Sequence, residues 1–407
     1  MKHKILSGIV LLALLLMVST AMAQEEEEEM TRTGFRPDAP TYGVRGPHPV
    51  GTMDMVVNDA ERPLPVTIWY PALNPEGLVE GHTYPVNYPP SFPPLEAYGM
   101  ALFEADPDTE SGPYPLVVWS HGFGSIRVGS TFFGEHLASW GFVVIAPDHL
   151  GMTASDLASD PSTLYPMYYN TPRDVSLVID FAETINADGV MVGMVDTEHI
   201  AATGHSSGGF TTLQAGGAQL DLAGLLAFCE DVGGASFDCP YVTSSAEELA
   251  ALYGLSDVPD DLLPSLGDDR IDALIPLAPD QVFFGETGLN NVTQPTLYMA
   301  GVSDMSVPIE DIRAGFASLG SETAYRVEFD YGGHGLFQDT CERFPAMAAF
   351  GFYDLCAEKV WDKLRAHDLI NHHGTAFLLW QLKGDQDAAA VFAEGADIFP
   401  GVEVIVK

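Results

Sequence analysis

The stretch HIAATGHSSGGF, residues 199–210, constrains the fold more than any other segment of the chain. An apolar run leads into Gly204-His205-Ser206-Ser207-Gly208, where serine has a glycine two residues to either side. This spacing fits a sharp turn between a buried strand and a helix, because backbone approaches backbone there. The pattern predicts a strand–turn–helix unit that exposes the hydroxyl of Ser206. A serine that only caps the following helix is the alternative interpretation.

Strand-like and helix-like segments alternate on both sides of this turn. YPLVVWS (114–120), GFVVIAPDH (141–149) and PTLYMAGVSD (295–304) are apolar runs bounded by turn residues, as is typical of strands buried on both faces. STFFGEHLASW (130–140) and RDVSLVIDFAETINA (173–187) have helical spacing. The alternation predicts an α/β fold with a mostly parallel central sheet flanked by helices.

The N-terminus has the three parts of an export signal: Lys2 and Lys4, a short apolar run, and Ala21-Met22-Ala23. We expect cleavage after Ala23 and a secreted or periplasmic protein without stable membrane insertion; an uncleaved anchor is the alternative. Residues 24–40 carry five successive glutamates and are predicted to form a disordered leader. Residues 41–407 remain as one domain.

The chain is strongly acidic. Its 57 acidic and 17 basic residues give a formal net charge of −40 at pH 7. Nucleic acids and anionic membranes bind positive surfaces, so neither is expected as a partner.

Residues 221–270 interrupt the alternation and contain a single basic residue, Arg270, among many acidic ones. An insertion at this point usually covers the strand ends, so we predict a lid; a plain surface excursion is the alternative.

Four cysteines remain after the predicted cleavage, and they allow three pairings. In an exported chain the two short-loop pairs, Cys229–Cys239 and Cys341–Cys356, are favoured, while reduced buried cysteines are the alternative. No cysteine or histidine spacing resembles a zinc site, so neither a metal nor another cofactor is predicted.

A serine hydroxyl becomes nucleophilic when a base accepts its proton and an acid orients that base. In folds with this turn the chain order is serine, acid, histidine. Asp304 ends the strand PTLYMAGVSD, and His334 follows the next strand-like run in a Gly-Gly-His-Gly loop. The predicted triad is therefore Ser206, Asp304 and His334. Asp280 also ends a strand, in IPLAPD, and is the alternative acid or a residue of the pocket wall.

Acyl transfer passes through an oxyanion, which needs two N–H donors already aimed at it. One is expected from Ser207, the residue after the serine. The other is expected from Phe123 in WSHGFGS, where Gly122 lets the chain turn directly after a buried strand. A tight loop with an apolar plug is the alternative interpretation of this segment.

Together these residues resemble the α/β-hydrolase superfamily, and more narrowly the platelet-activating-factor acetylhydrolase and predicted dienelactone hydrolase group of secreted serine esterases. The resemblance covers most of residues 45–390, and its pieces are LPVTIWYP, WSHGFGS, SWGFVVIAPDHLG, PRDVSLVIDF, GHSSGG, GVSDMSVP, GGHGLF, DTC…C and TAFLLWQLKGD. It implies an α/β-hydrolase fold and carries the triad and oxyanion roles over to the residues named above.

Two departures from that group matter. Dienelactone hydrolases use a cysteine nucleophile, and this chain has Ser206. Animal acetylhydrolases of this type place the acid after the earlier strand, which keeps Asp280 open. The insertion at 221–270 lies outside the resemblance.

The sequence therefore predicts an exported serine carboxylic-ester hydrolase that acts through an acyl-enzyme, on short-chain acyl esters. A polyester hydrolase of the cutinase type, with a polymeric ester as substrate, is the first alternative. A non-catalytic binding protein on the same scaffold is the second. The oligomeric state is not predicted.

Overall fold

The computed structural model describes residues 33–60, 62–86, 95–157, 165–233, 239–396 and 398–407. The predicted signal peptide (1–23) and the first part of the predicted leader lie outside these residues. The strands are β1 (Val50–Val57), β2 (Leu64–Pro71), β3 (His82–Val86), β4 (Leu95–Gly99), β5 (Leu102–Phe103), β6 (Tyr114–Ser120), β7 (Val143–Pro147), β8 (Val195–His205), β9 (Ala273–Leu277), β10 (Thr296–Gly301), β11 (Ala324–Phe329) and β12 (Val402–Val406).

From β6 onward, one or more α-helices stand between most of the successive strands. They are α1 (Thr131–Ser139), α2 (Ala154–Leu157), α3 (Met167–Ala187), α4 (Ser207–Ala215), α5 (Leu222–Asp231), α6 (Cys239–Thr243), α7 (Ala246–Leu252), α8 (Ile309–Ser318), α9 (Pro345–Ala349), α10 (Tyr353–Cys356), α11 (Lys363–Lys383) and α12 (Gln386–Ala389). Among the helices of the described residues, none is long and apolar enough to cross a membrane.

Within the described residues, ten strands form one sheet in the order β12-β11-β10-β9-β8-β6-β7-β2-β1-β5. The strands from β7 to β11 pair in parallel, and antiparallel partners flank them on both sides. The strand order reverses at β6, with β7 on one side and β8 on the other. In open α/β sheets such a switch point opens a crevice beyond the carboxyl ends of the strands.

Alternate side chains of the central strands enter two separate cores. On β6, Leu116 and Val118 face the core that contains Phe210. Val117 and Trp119 face the opposite core, which contains Phe377 of α11. All of β6 is buried, which explains why its sequence is a continuous apolar run rather than an alternating one. The predicted α/β class with a mostly parallel sheet is confirmed.

The closing helix α11 is buried on nearly all sides. Its outer face is covered by the N-terminal segment of the described chain. The carboxylate of Asp368 accepts hydrogen bonds from the peptide N–H groups of Phe35 (2.7 Å) and Arg36 (2.8 Å). The last part of the predicted leader thus has hydrogen-bond partners on α11 that the leader's own composition does not indicate.

The described residues of the insertion, 221–233 and 239–270, form α5, α6 and α7 and an extended return to β9. The disulfide Cys229–Cys239 joins α5 to α6, and Cys341–Cys356 closes a loop after β11. Both favoured pairs are therefore present in the structure, and no cysteine among the described residues is free.

Candidate active site

Ser206 stands on the turn between β8 and α4, with φ 58° and ψ −122°. This is a strained conformation for a residue that carries a Cβ. Neighbouring glycines make the turn possible. A Cβ on Gly208 would lie 2.0 Å from the carbonyl oxygen of Ser120, and one on Gly204 would lie 2.4 Å from the carbonyl oxygen of Gly208. The predicted strand–turn–helix unit is present, with its glycines where backbone crosses backbone.

The predicted base and acid lie beside this serine. The Nε2 atom of His334 is 2.9 Å from Ser206 Oγ, and its Nδ1 atom is 2.7 Å from Asp304 Oδ2. In the tautomer that satisfies both contacts, Nδ1–H donates to the carboxylate and Nε2 accepts from the serine hydroxyl. The other carboxylate oxygen of Asp304 accepts from the peptide N–H groups of Ser306 (2.8 Å) and Val307 (2.9 Å). These two hydrogen bonds hold the carboxylate of Asp304 in the position from which it contacts the imidazole of His334.

Asp280, the alternative acid, is not the carboxylate that contacts His334. Its peptide N–H donates to the carbonyl oxygen of Ser206 at 3.3 Å, and the residue lines the cleft above the serine. Asp304 follows β10, the parallel neighbour of β11, and His334 follows β11. Adjacent parallel strands bring their carboxyl ends together, so Asp304 reaches the histidine directly.

The loop after β6 is a four-residue turn from Gly122 to Ser125, closed by a hydrogen bond from Ser125 N–H to Gly122 O (3.0 Å). Its third residue, Gly124, has φ 68°, which a residue with a side chain rarely adopts. A Cβ on Gly122 would lie 3.3 Å from Ser206 Cβ, so this turn lies directly against the serine.

A cleft of about 570 Å³ opens above the serine. Its lining includes Ser206 and His334 of the predicted triad together with the predicted oxyanion donors Phe123 and Ser207. Its walls are mainly apolar, with Phe228, Val282, Met305, Val307 and Pro308, and also include Asp280, Gln281, Ser306 and Asp311. Met305 is 92% exposed at the rim, so the cleft is open to solvent beside the serine.

The insertion contributes to one wall of this cleft. Phe228 on α5 lines it, and the ring of Tyr241 on α6 lies 6.4 Å from the ring of Phe123. Phe228 is adjacent to Cys229, and Tyr241 is two residues from Cys239, the partner of Cys229 in the disulfide. The disulfide therefore links the two short helices that carry the aromatic wall.

His205, which the sequence places inside the turn, packs behind the site. Its ring lies 4.6 Å from the ring of His334 and is fully buried. Burial, followed by the proximity of His334, lowers the pKa of His205 well below its ordinary value. The ring is therefore neutral at pH 7 and acts as a packing partner of His334.

Sequence reasoning missed a buried polar network on the far side of the loop after β6. Arg62, Asp174 and His149 come from three distant parts of the chain and meet beneath Ser120 and His121. Only the position of His149, two residues after the strand GFVVIAP, could have suggested it. In the part of the chain that the structure describes, no cluster of three or more histidine, cysteine or carboxylate side chains could hold a metal ion.

Comparisons with known proteins agree with this picture. Residues 99–159 match the family model described as platelet-activating factor acetylhydrolase, isoform II. The matched segment includes the loop after β6 and His149. No curated protein matches the sequence.

Among solved structures, a ferulic acid esterase from Streptomyces cinnamoneus superposes with a TM-score of 0.56 and 22% sequence identity, covering 89% of this chain and 97% of that chain. At this identity the likeness concerns the fold. The family match agrees with the predicted class of enzyme, a serine ester hydrolase. As the motifs predict, the chain has the α/β-hydrolase fold, and its residues 99–159 resemble the platelet-activating factor acetylhydrolases.

Proposed function

We propose that the protein is an exported serine carboxylic-ester hydrolase that forms an acyl-enzyme on Ser206 and acts on short-chain acyl esters. The observation that carries this proposal is the hydrogen-bonded series Ser206–His334–Asp304 on the floor of an open cleft, with contacts of 2.9 and 2.7 Å. The first contact lies in the range that proton transfer between nucleophile and base requires, and the second is a hydrogen bond that can orient the base.

In the acylation step, Ser206 Oγ attacks the ester carbonyl carbon while its proton moves to His334 Nε2. The resulting imidazolium is stabilised by the carboxylate of Asp304, which stays ionised. The tetrahedral intermediate then collapses: the carbon–oxygen bond to the alcohol breaks, and His334 returns the proton to the departing oxygen. Deacylation repeats these steps with water in place of the serine hydroxyl.

The negative oxygen of the intermediate needs donors placed in advance. The peptide N–H groups of Phe123 and Ser207 are proposed for this role, since both residues line the cleft beside Ser206. Ser207 begins α4, so the partial positive charge of a helix N-terminus adds to the effect.

The insertion at 221–270 is proposed as the lid that selects the substrate. Phe228 and Tyr241 bring aromatic surface to the cleft from two disulfide-linked helices. Such surface favours an apolar or aromatic group on one side of the scissile bond.

Export is supported by two features. The chain begins with a signal-like segment, and its four cysteines form two disulfides, which persist in oxidising compartments. We therefore propose a secreted or periplasmic location.

The test of this function is labelling of the mature protein with a fluorophosphonate probe, followed by mass spectrometry, alongside hydrolysis of p-nitrophenyl esters from acetate to palmitate. Wild type should be labelled at Ser206, with fastest turnover of the short esters. Ser206→Ala should lose labelling and activity. Equal activity in both proteins would refute the proposal, and a folded wild type that is neither labelled nor active would favour the binding-protein alternative.

A polyester hydrolase remains the second candidate because the cleft is open at its rim, where Met305 is 92% exposed. An open cleft admits a segment of a polymer whose ends lie outside it. Soluble product released from a polyester film by wild type, and not by Ser206→Ala, would support this candidate. Activity confined to soluble esters would count against it.

A further inference from the structure

A fully buried carboxylate begins a polar network beneath the loop after β6. Asp174 on α3 accepts two hydrogen bonds from the guanidinium of Arg62, from Nε to Oδ1 and from Nη2 to Oδ2, both at 2.8 Å. Oδ2 also accepts from Nδ1–H of His149 at 3.0 Å. A buried charge is retained only when it is paired and hydrogen-bonded, and the bidentate arginine supplies both. His149 is thereby held in one orientation.

His149 in turn fixes the ring of His121. The peptide N–H of His149 donates to His121 Nε2 at 3.0 Å, so this ring nitrogen carries no proton. The proton is therefore on Nδ1, which lies 2.8 Å from the carbonyl oxygen of Gly122 and donates to it. Burial, and then the neighbouring His149, lower the pKa of His121 to about 4. The ring is neutral at pH 7 and keeps this tautomer.

The carbonyl of Gly122 belongs to the same peptide group as the N–H of Phe123. This peptide is trans, so its C=O and N–H point in opposite directions. Two donors hold the carbonyl, His121 Nδ1–H at 2.8 Å and Ser125 N–H at 3.0 Å, and neither residue lines the cleft. Phe123 itself lines the cleft together with Ser206. We infer that holding the oxygen on these donors turns the Phe123 N–H to the opposite side, where the cleft lies.

Ser120, His149 and Asp174 also repeat the contacts of a nucleophilic triad, with Ser120 Oγ 3.0 Å from His149 Nε2. These three side chains are almost completely buried, with exposures of 1%, 0% and 0%. No ester can reach Ser120, so the arrangement serves to hold the loop and not to attack a substrate.

We propose that His121 is a positioning residue for the oxyanion donor Phe123. The peptide N–H of His149 keeps it in the donating tautomer, and the side chains of Arg62, Asp174 and His149 hold that peptide in place. This inference rests on the proposed function, since it assigns a role to a group that supports the oxyanion. It explains why a histidine stands between the buried strand and Gly122. A turn alone requires the glycines and no histidine.

Two amide substitutions each keep one of the two hydrogen bonds made by the His121 ring and remove the other. In His121→Asn the amide lies near the place of Nδ1 and can still donate to Gly122 O. In His121→Gln it lies near the place of Nε2 and can only accept from His149 N–H. Each variant loses one of two hydrogen bonds in a buried site, so similar losses of melting temperature are expected.

The measurement is kcat and KM for p-nitrophenyl butyrate, with melting temperatures, for both variants. We expect kcat of His121→Gln to fall about 10- to 100-fold, less than the ~10²–10³-fold loss when an oxyanion donor is removed outright. KM should change less than about twofold, because the oxyanion forms only after binding. His121→Asn should retain kcat within about fivefold of wild type.

His136 provides the matched control. It is another buried histidine, and its Nε2 donates to Tyr42 O at 2.7 Å, away from the cleft. His136→Asn should lower the melting temperature and leave kcat unchanged. Equal kcat in the two His121 variants, or a folded His121→Gln with wild-type kcat, would overturn the proposal.

Should His121→Gln not fold, Arg62→Lys makes the same test from a partly exposed position. Losing the bidentate contact should lower kcat about 3- to 10-fold at unchanged KM, and an unchanged kcat would overturn the proposal. Ser206→Ala separates the two levels of inference. If it is as active as wild type, the proposed function fails; if it is inactive while the His121 and Arg62 variants match wild type, only the positioning role fails.

Discussion

The contact between Gly208 and the end of β6 offers a direct test of the strained turn. In Gly208→Ala the new Cβ would lie 2.0 Å from Ser120 O, 2.6 Å from Ser120 C and 2.7 Å from His121 O. All three are backbone atoms, which cannot rotate away as a side chain can. Restoring the 3.4 Å of an ordinary contact requires a shift of at least about 1.4 Å between α4 and the end of β6.

Such a shift separates the nucleophile from its oxyanion loop, because Ser120 and His121 lead directly into Gly122 and Phe123 while Gly208 follows Ser206. Misplacement of reacting groups by 1 Å costs on the order of 10²-fold in rate. We therefore expect Gly208→Ala to lose about 10²-fold in kcat, with a loss of about 1–3 kcal/mol in the free energy of unfolding from overpacking.

The assay is kcat for p-nitrophenyl butyrate with a denaturant melt of each protein. Gly216→Ala is the matched control at the other end of the same helix. The three atoms nearest to its Cβ would be Cδ1, Cδ2 and Cγ of Leu274, at 2.4 to 3.3 Å, and these belong to a side chain and not to backbone. The control should keep kcat within about twofold of wild type. A Gly208→Ala protein with at least half the wild-type kcat would show that the close backbone crossing is not required.

Three further predictions concern the acid, the cleft wall and the N-terminal segment. Asp304→Asn should lower kcat about 10⁴-fold through the wrong imidazole tautomer, while Asp280→Asn stays within about fivefold; similar losses in both would contradict the assignment of the acid. Phe228→Ala should raise KM for aromatic acyl esters about tenfold and leave KM for the acetate ester nearly unchanged. An equal change of KM for both esters would argue against a cleft wall that selects aromatic acyl groups. Burial raises the pKa of Asp368 from 3.8 to about 6. Between these pH values the Asp368 carboxyl is more protonated in the folded protein than in the unfolded chain. Its contribution to the free energy of unfolding therefore falls as pH rises. The melting temperature of Asp368→Asn relative to wild type should therefore be higher at pH 7.5 than at pH 4, and a difference independent of pH would refute this account.

The sequence indicates those parts of the site that depend on neighbours along the chain. The glycine spacing around Ser206 predicts the turn, because only glycine tolerates backbone atoms at 2.0 to 2.4 Å from a Cβ position. Continuous apolar runs predict strands buried on both faces, and the α/β class follows from their alternation with helices. The order of Ser206, Asp304 and His334 follows from the fold that these local signals predict.

Other features were decided only when distant segments met. Asp280 and Asp304 both end parallel strands, and the pairing of β10 with β11 is what brings the second carboxylate to His334. The order of residues 33–40 depends on Asp368, more than three hundred positions later. These contacts leave no periodic signal in the sequence. Each of the residues involved lies in a stretch that reads by itself as an ordinary loop or helix.

The network of Arg62, Asp174 and His149 is the clearest case. A lone arginine, aspartate and histidine carry no motif, and nothing in their spacing predicts that they meet behind Gly122. Folding buries the carboxylate, and a buried carboxylate must be paired.

The sequence by itself determined the nucleophile turn, the strands and the order of the reacting residues, because those follow from local backbone sterics and hydrophobic periodicity. The tertiary structure alone decided which acid reaches the histidine and which buried groups contact the loop proposed to hold the oxyanion, because both depend on hydrogen bonds between strands and loops that are distant in the chain.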